Sequence, residues 1–220
     1  MDWSAFGLSL ELAAWTALLL VPIGAWIARE LAWRPMAGKA WLEALVALPL
    51  VLPPTVLGYY LLSAFGGGSW LGQAYQSIAG RPLAFSFNGL LLASMVFNLP
   101  FAVQPMQRAF EAIPQEVREA AWVSGLSRWS AFRRVELPLA WPGIVSSLVL
   151  TVAHTVGEFG VVLMMGGNIP GETRTISIAI YDRVQAFDES AAAAMSAMLL
   201  AFSLLAIGIV YALSDRRRRA

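Results

Sequence analysis

The sequence predicts an all-α, polytopic membrane protein, and three observations predict it. Hydrophobic residues make up 58% of the 220-residue chain and charged residues 13%, against roughly 45–50% and 25% for a soluble domain. Mean hydropathy is +0.65, and a soluble fold of this size lacks the interior to hide so much apolar surface. Five mostly apolar stretches fall along the chain, each near the ~20 residues that cross about 30 Å of hydrocarbon. A water-soluble enzyme, a nucleic-acid binder and a disordered chain are excluded. The expected unit is one transmembrane domain over residues 1–220.

The first span is expected over residues 6–28, interrupted only by Glu11. Met1-Asp2-Trp3 offers no basic n-region and no cleavage site, so this stretch reads as a retained span and not a signal peptide. The second is expected over 44–65, where Pro49, Pro53 and Pro54 mark a broken or kinked helix. A membrane bundle tolerates this because neighbouring helices or water satisfy the freed carbonyls. Gly66-Gly67-Gly68-Ser69 then opens a loop to 87 with the composition of a flexible linker. The third span, 88–107, carries Pro100 and Pro105, and the fourth and fifth are expected over 139–165 and 191–213. Between the last two, Ile176, Ile180, Val184 and Phe187 recur at helical spacing and predict a short interfacial helix.

Charge then orients the chain. One set of connections holds Arg29, Arg34, Lys39, Arg108, Arg118, Arg128, Arg133, Arg134 and Arg216 to Arg219, against Arg81, Arg174 and Arg183 on the other side. The basic-rich side is cytoplasmic, so the N-terminus is expected outside and the C-terminus inside. Arg216 to Arg219 read as an anchor near anionic headgroups. Trp3, Trp26, Trp33 and Trp41 sit near span ends as interfacial belt residues. With no Cys in the chain there is no disulfide framework and no thiolate metal site.

The polar segment 108–138 is the most informative. Pro114 suits the start of a helix that Gly125 would end in a left-handed cap. A second helix is expected from about Ser127, stopping before Pro138. Trp129, Phe132 and Arg133 would share one face of it, as an aromatic and basic ridge. Glu119-Ala120-Ala121, then Gly125, then Val135-Glu136-Leu137-Pro138 resembles the EAA signature of bacterial ABC importer permeases of the binding-protein-dependent type. The resemblance implies the type I importer permease fold, with 108–138 as a coupling loop that docks on a cytoplasmic ATPase. In that reading Glu119, Ala120, Ala121, Gly125, Trp129, Leu137 and Pro138 couple to the ATPase subunit. Gly125 would permit the turn, the two alanines would allow close packing in the groove, and Glu119 would meet a basic residue.

A second resemblance concerns substrate. Leu48-Pro49-Leu50-Val51-Leu52-Pro53-Pro54 with Gly58-Tyr59, then Gly157-Glu158-Phe159-Gly160, then the run from Asn168 to Ile176 is similar to the permeases of molybdate importers. Those of sulfate and thiosulfate are close relatives. The likeness is to a form with five spans and an outside N-terminus, without the extra N-terminal helix of six-span relatives. It implies a homodimer in the bacterial cytoplasmic (inner) membrane, partnered by ABC ATPase subunits that hold ATP and Mg, and by a periplasmic or extracellular molybdate-binding protein. Asn168, Glu172, Thr173, Arg174 and Thr175 are the expected contacts to that protein.

The residues themselves bear on this. A phosphate-binding P-loop is absent: Gly38-Lys39 is followed by Ala40 and has Trp33 where the first Gly is needed. No cofactor or metal is expected on this chain, and any ATP must act on a partner. Ser147, Thr151 and Thr155 repeat at four-residue spacing. They either pack helices together or, with Thr55, Ser94 and Asn98, line a neutral hydroxyl path for an oxyanion. His154 and Glu158 lie four apart, too few ligands for a metal site. Glu158 reads as a structural or gating carboxylate, hydrogen-bonded or paired with a basic residue. Transport of sulfate, thiosulfate or tungstate, an ion-coupled secondary carrier and an intramembrane enzyme are the competing readings. The last lacks any nucleophile–base pair.

Overall fold

The first helix outruns its apolar stretch. Asp2 accepts a hydrogen bond from the Ala5 amide at 3.0 Å and starts α1, Trp3–Trp33. Its 31 residues, at 1.5 Å each, exceed the hydrocarbon thickness, so the helix stands out of the apolar slab. The structure is a computed structural model describing residues 2–218, with side chains described to Ile209 and at Tyr211. The expected basic anchor at Arg216 to Arg219 therefore lies outside the described side chains.

The second span is broken. Its first half is α2, Lys39–Val51, and its second is α3, Pro54–Phe65, bent 112° from it. Leu52 precedes Pro53, and Pro53 precedes Pro54; a residue before proline is driven out of the helical region. Both adopt ψ 136° as that rule requires. The following loop is ordered: Ser69 bonds the Gly66 carbonyl at 2.8 Å and caps α4, Trp70–Ala79.

Next comes α5, Phe87–Glu111, the central helix, against which α1 packs through Leu20, Ala28, Ala102 and Met106. The polar segment forms α6, Gln115–Val123, and α7, Arg128–Ala131. The second short helix does not stop before Pro138. It runs through a π turn at Phe132–Glu136 directly into α8, Leu137–Gly157. The wider ring just ahead of Pro138 relieves the clash that a proline makes with the preceding turn.

The fourth span is not continuous over 139–165 either. It breaks at Glu158, whose backbone is extended (φ −70°, ψ 137°), and resumes as α9, Gly160–Gly166. The short helix expected between the last two spans is α10, Ile176–Gln185, and the last helix is α11, Glu189–Arg218. Only part of the expected apolar face of α10 is buried. Ile176 is enclosed, whereas Val184 and Phe187 are exposed. Among the described residues the helices long and apolar enough to cross a membrane are Trp3–Trp33, Phe87–Glu111, Arg128–Gly157 and Glu189–Ile209, and the α2–α3 pair, bent 112°, makes a fifth if its two halves count as one span.

Candidate functional site

The two helix breaks meet. Gly160, at the start of α9, lies so close to Pro54 that an added Cβ would fall 2.7 Å from the proline's own. One turn along, Gly58 admits Met164 with the same closeness. Leu57 and Leu61 of α3 then pack with Val161 and Met165 of α9. Glu158 sits inside this junction, 6% exposed, and its Oε1 accepts the Val161 amide at 2.9 Å. It caps α9 as a short acidic side chain caps a helix, which satisfies the expectation of a hydrogen-bonded carboxylate. The break separates it from His154, so the two do not share a helical face. His154 instead stacks on Phe97 and Phe101, with ring centroids at 4.9 and 4.0 Å.

Most of the expected hydroxyl path is interior packing. Ser94, Asn98, Ser147, Thr151 and Thr155 are each at most 1% exposed. Thr16 of α1 donates to Ser94 of α5 at 3.0 Å, Ser94 reaches Thr155 of α8 at 3.5 Å, and the Asn98 amide donates to the Ser94 carbonyl at 2.9 Å. Thr16, Ser94 and Thr155 thus bind three helices together within one chain as helix-to-helix glue, whereas the Ser147 and Thr151 hydroxyls are buried with no hydrogen-bond partner among the described residues. Of the expected path residues only Thr55 is exposed, at the first turn of α3. Tyr59 and Ser63 are exposed at four-residue intervals along the same face. The sequence carried that signal in the i, i+4, i+8 spacing of three hydroxyls opposite Leu57 and Leu61.

The polar segment carries a second constellation. Gly125 takes φ +79°, its amide bonds the Trp122 carbonyl at 2.9 Å, and the Leu126 amide bonds that of Ala121 at 3.2 Å. This is a full Schellman cap, as the expected turn requires. Glu119 and Ala120 are exposed on α6, with Glu119 accepting from the Gln115 amide at 2.6 Å. Ala121, expected to face a partner's groove, is buried against its own chain. Trp129 is 67% exposed and tilts over Phe132 at 5.5 Å, while Leu137 is half-buried and Pro138 exposed.

Sequence reasoning gave Glu136 no role, yet it is the most buried acid among the described residues, 1% exposed. Arg29 of α1 donates to it twice, from Nε at 2.6 Å and from Nη2 at 3.2 Å. Arg118 of α6 approaches Oε1, the oxygen that also accepts from Arg29 Nη2, at 3.7 Å. Trp33 is no belt residue: its ring lies 3.7 Å under the Arg118 guanidinium and 5.4 Å from that of Arg29. Burial lowers the Arg118 pKa from its ordinary value, Glu136 raises it again, and Arg29 lowers it further. One carboxylate thus ties α1, α6 and the start of α8 into a single unit.

At the opposite end, Arg174 bonds Asn168 at 2.7 Å and lies 3.6 Å from Asp182, which Asn168 also contacts. Thr173 and Thr175, expected among the docking contacts, are buried at 0% and 1%. Thr173 accepts the Ile169 amide at 3.0 Å and closes the turn. Asn168 and Glu172 are exposed on its outer surface.

The family described as binding-protein-dependent transport system inner membrane component matches residues 20–219. The molybdenum transport system permease protein ModB of Azotobacter vinelandii is 46% identical over 219 residues, covering 100% of this chain and 96% of that protein. ModB of Escherichia coli strain K12 is 37% identical over 207 residues, covering 94% and 90%. A probable sulfate transport system permease protein of Chlorella vulgaris is 30% identical over 209 residues, covering 95% and 78%. Among solved structures, a bacterial ABC transporter involved in the import of alginate superposes with a TM-score of 0.70 at 19% identity, over 98% of this chain and 78% of that one. That likeness concerns the fold.

Proposed function

Because the chain belongs to the family of binding-protein-dependent transport system inner membrane components, we propose that it is the multi-pass inner-membrane permease of an ATP-driven molybdate importer. It works with a cytoplasmic ATPase and an external binding protein, and two copies pair to form one path. The observation that carries the path is the exposed row Thr55, Tyr59 and Ser63 beside the α2–α3 break. Irregular backbone at membrane depth is tolerated only against protein or a water-filled cavity, so this face borders the partner copy and the path. Neutral hydroxyls suit a tetrahedral dianion in transit, since they bind it weakly enough to let it go. Selectivity then lies mainly in the binding protein.

Segment 108–138 faces the cytoplasm and docks on the ATPase through exposed Glu119, Ala120 and Trp129, with Gly125 as the turn. Outside, Asn168 and Glu172 meet the binding protein. ATP closure of the ATPase subunits moves α6, and the spans rock between inward-facing and outward-facing states. The test is uptake into proteoliposomes holding the permease, its ATPase and its loaded binding protein. Molybdate should accumulate only with ATP inside, and a Cys placed at Tyr59 in this cysteine-free chain should react with water-soluble thiol reagents in a state-dependent way. Uphill uptake without the ATPase would make it an ion-coupled carrier. The similarity to a sulfate permease favours sulfate as the second substrate to try.

A further inference from the structure

Arg29 separates two hollows at one end of α1. On one side is a cavity of about 430 Å³ whose wall carries Arg29, Arg34, Arg118, Arg128 and Trp33. On the other is an apolar groove of about 520 Å³ walled by Pro22, Ala25, Trp26, Trp129, Phe132 and Leu137. Arg29 and Arg128 line both, so the two are halves of one trough.

The charges in the head of the trough do not cancel. Glu136 is consumed by Arg29 and Arg118. Glu30, the acid on the wall, lies 3.2 Å from Arg34 and 3.7 Å from Arg29. That leaves four guanidinium groups against two carboxylates, and Arg128, at the junction of the halves, has no carboxylate within 4.0 Å among the described residues. The apolar half runs along α1 into the length that crosses the membrane, with Trp26 66% exposed above it. A cationic pocket opening onto an apolar groove fits one molecule with an anionic head and a hydrocarbon tail.

We propose that this trough is a binding site for a single anionic phospholipid, its phosphate held by Arg128 and Arg34 and one acyl chain laid along Pro22, Ala25 and Trp26. Two features favour a lipid over a free oxyanion or a protein. A small anion would use only the cationic half, and the apolar half runs along an exposed apolar face of α1 at Pro22 and Trp26. Basic pockets between transmembrane helices on the cytoplasmic side are the form that anionic headgroup sites take. Because Arg128 and Trp129 belong to the loop proposed to dock on the ATPase, the lipid would be a wall of that loop's seat.

The test uses the permease purified with its ATPase and titrated with phosphatidylglycerol or phosphatidylcholine, bound lipid being counted by native mass spectrometry. Retention of phosphatidylglycerol over phosphatidylcholine is expected, and Arg128→Gln should weaken it roughly fivefold, the effect of one Arg beside an anionic headgroup. Ala25→Trp, which fills the apolar half without touching a charge, should weaken it as well. Equal retention of the two lipids, or no loss in either variant, overturns the proposal. Displacement by inorganic phosphate at millimolar concentration overturns it in favour of a free-anion site. A Cys at Ala25 that is shielded from a lipophilic maleimide in delipidated complex overturns it in favour of a protein occupant.

Discussion

Replacing Glu136 by Gln should loosen the coupling loop before it unfolds the spans. The substitution keeps the volume and one acceptor oxygen but removes the charge that faces Arg29 at 2.6 Å and Arg118 at 3.7 Å. Deleting one partner of a buried ion pair costs about 3–5 kcal/mol when the other stays fully buried. Here the arginine side chains keep 23% and 16% of their exposure, so water recovers part of the loss and about 2–3 kcal/mol is expected. Arg118 suffers most, because burial already works against its charge and Glu136 is what opposes that. The assay is a double-mutant cycle with Arg29→Gln, read by denaturant unfolding of the detergent-solubilised chain. The pair should show a coupling energy of about 1.5–3 kcal/mol, as charged hydrogen bonds do. In proteoliposomes the same variant should bind ATPase yet lose much of its stimulation by loaded binding protein. A coupling energy below about 0.5 kcal/mol, with stimulation intact, would refute the clamp.

Gly125→Val forces a β-branched residue into φ +79°, a cost of about 1–2 kcal/mol; uptake should fall while membrane insertion persists, and normal uptake would sink the coupling-loop assignment. Glu158→Gln retains an acceptor for the Val161 amide and should be tolerated, whereas Glu158→Ala should cost about 1 kcal/mol as a lost cap; equal stabilities would deny Glu158 its capping role. Asp188 is held below the ordinary carboxylate range by the Ala191 amide first, then by the Ser190 hydroxyl and Arg183. Its contribution is therefore present above the unfolded value and lost as pH falls through the folded one. Hydrogen exchange in the first turn of α11 should quicken below about pH 4 in the wild type but not in Asp188→Asn. Spin labels on α3 and α9 should keep their separation with and without ATP, while labels on α8 and α9 change theirs; the reverse would show that the break is rigid.

Much of this was legible because some constraints are local. Prolines fix the conformation of the residue before them, so the bend at Leu52 and Pro53 follows from three letters. Gly125 follows the same logic, since a helix stop needs a residue that enters the left-handed region. The break at Glu158 was not read from the sequence: no proline marks it, and Gly157-Glu158-Phe159-Gly160 interrupts the apolar run of 139 to 165 with residues that a membrane helix also tolerates. Ser147, Thr151 and Thr155 show the limit of periodicity, which says that they share a face and not what that face meets. Here Thr155 meets Ser94 of α5, while the Ser147 and Thr151 hydroxyls are buried without a partner among the described residues. The Glu136 clamp joins residues 107 apart in sequence, and no spacing rule connects a helix end near residue 29 to the start of another at 137.

The placement of the breaks bears on how movement of the coupling loop reaches the path. Glu136 binds α6 to α1 and to the start of α8, so a displacement of α6 acts on both helices at once. At its other end α8 stops at Gly157, and the chain turns through Glu158 before α9 begins. Were the helix continuous, α9 would follow α8 as one rod, and α3, locked to α9 through Gly58 and Gly160, would be dragged along. With the rod broken, α3 and α9 form a packed pair that carries Thr55, Tyr59 and Ser63 and rests on α5 through Leu90, Ala93 and Phe97. Packed interfaces are bistable and do not deform continuously. The α3–α9 pair, set off from α8 by the break at Glu158, can therefore switch its packing on α5 while keeping its own contacts at Gly58 and Gly160.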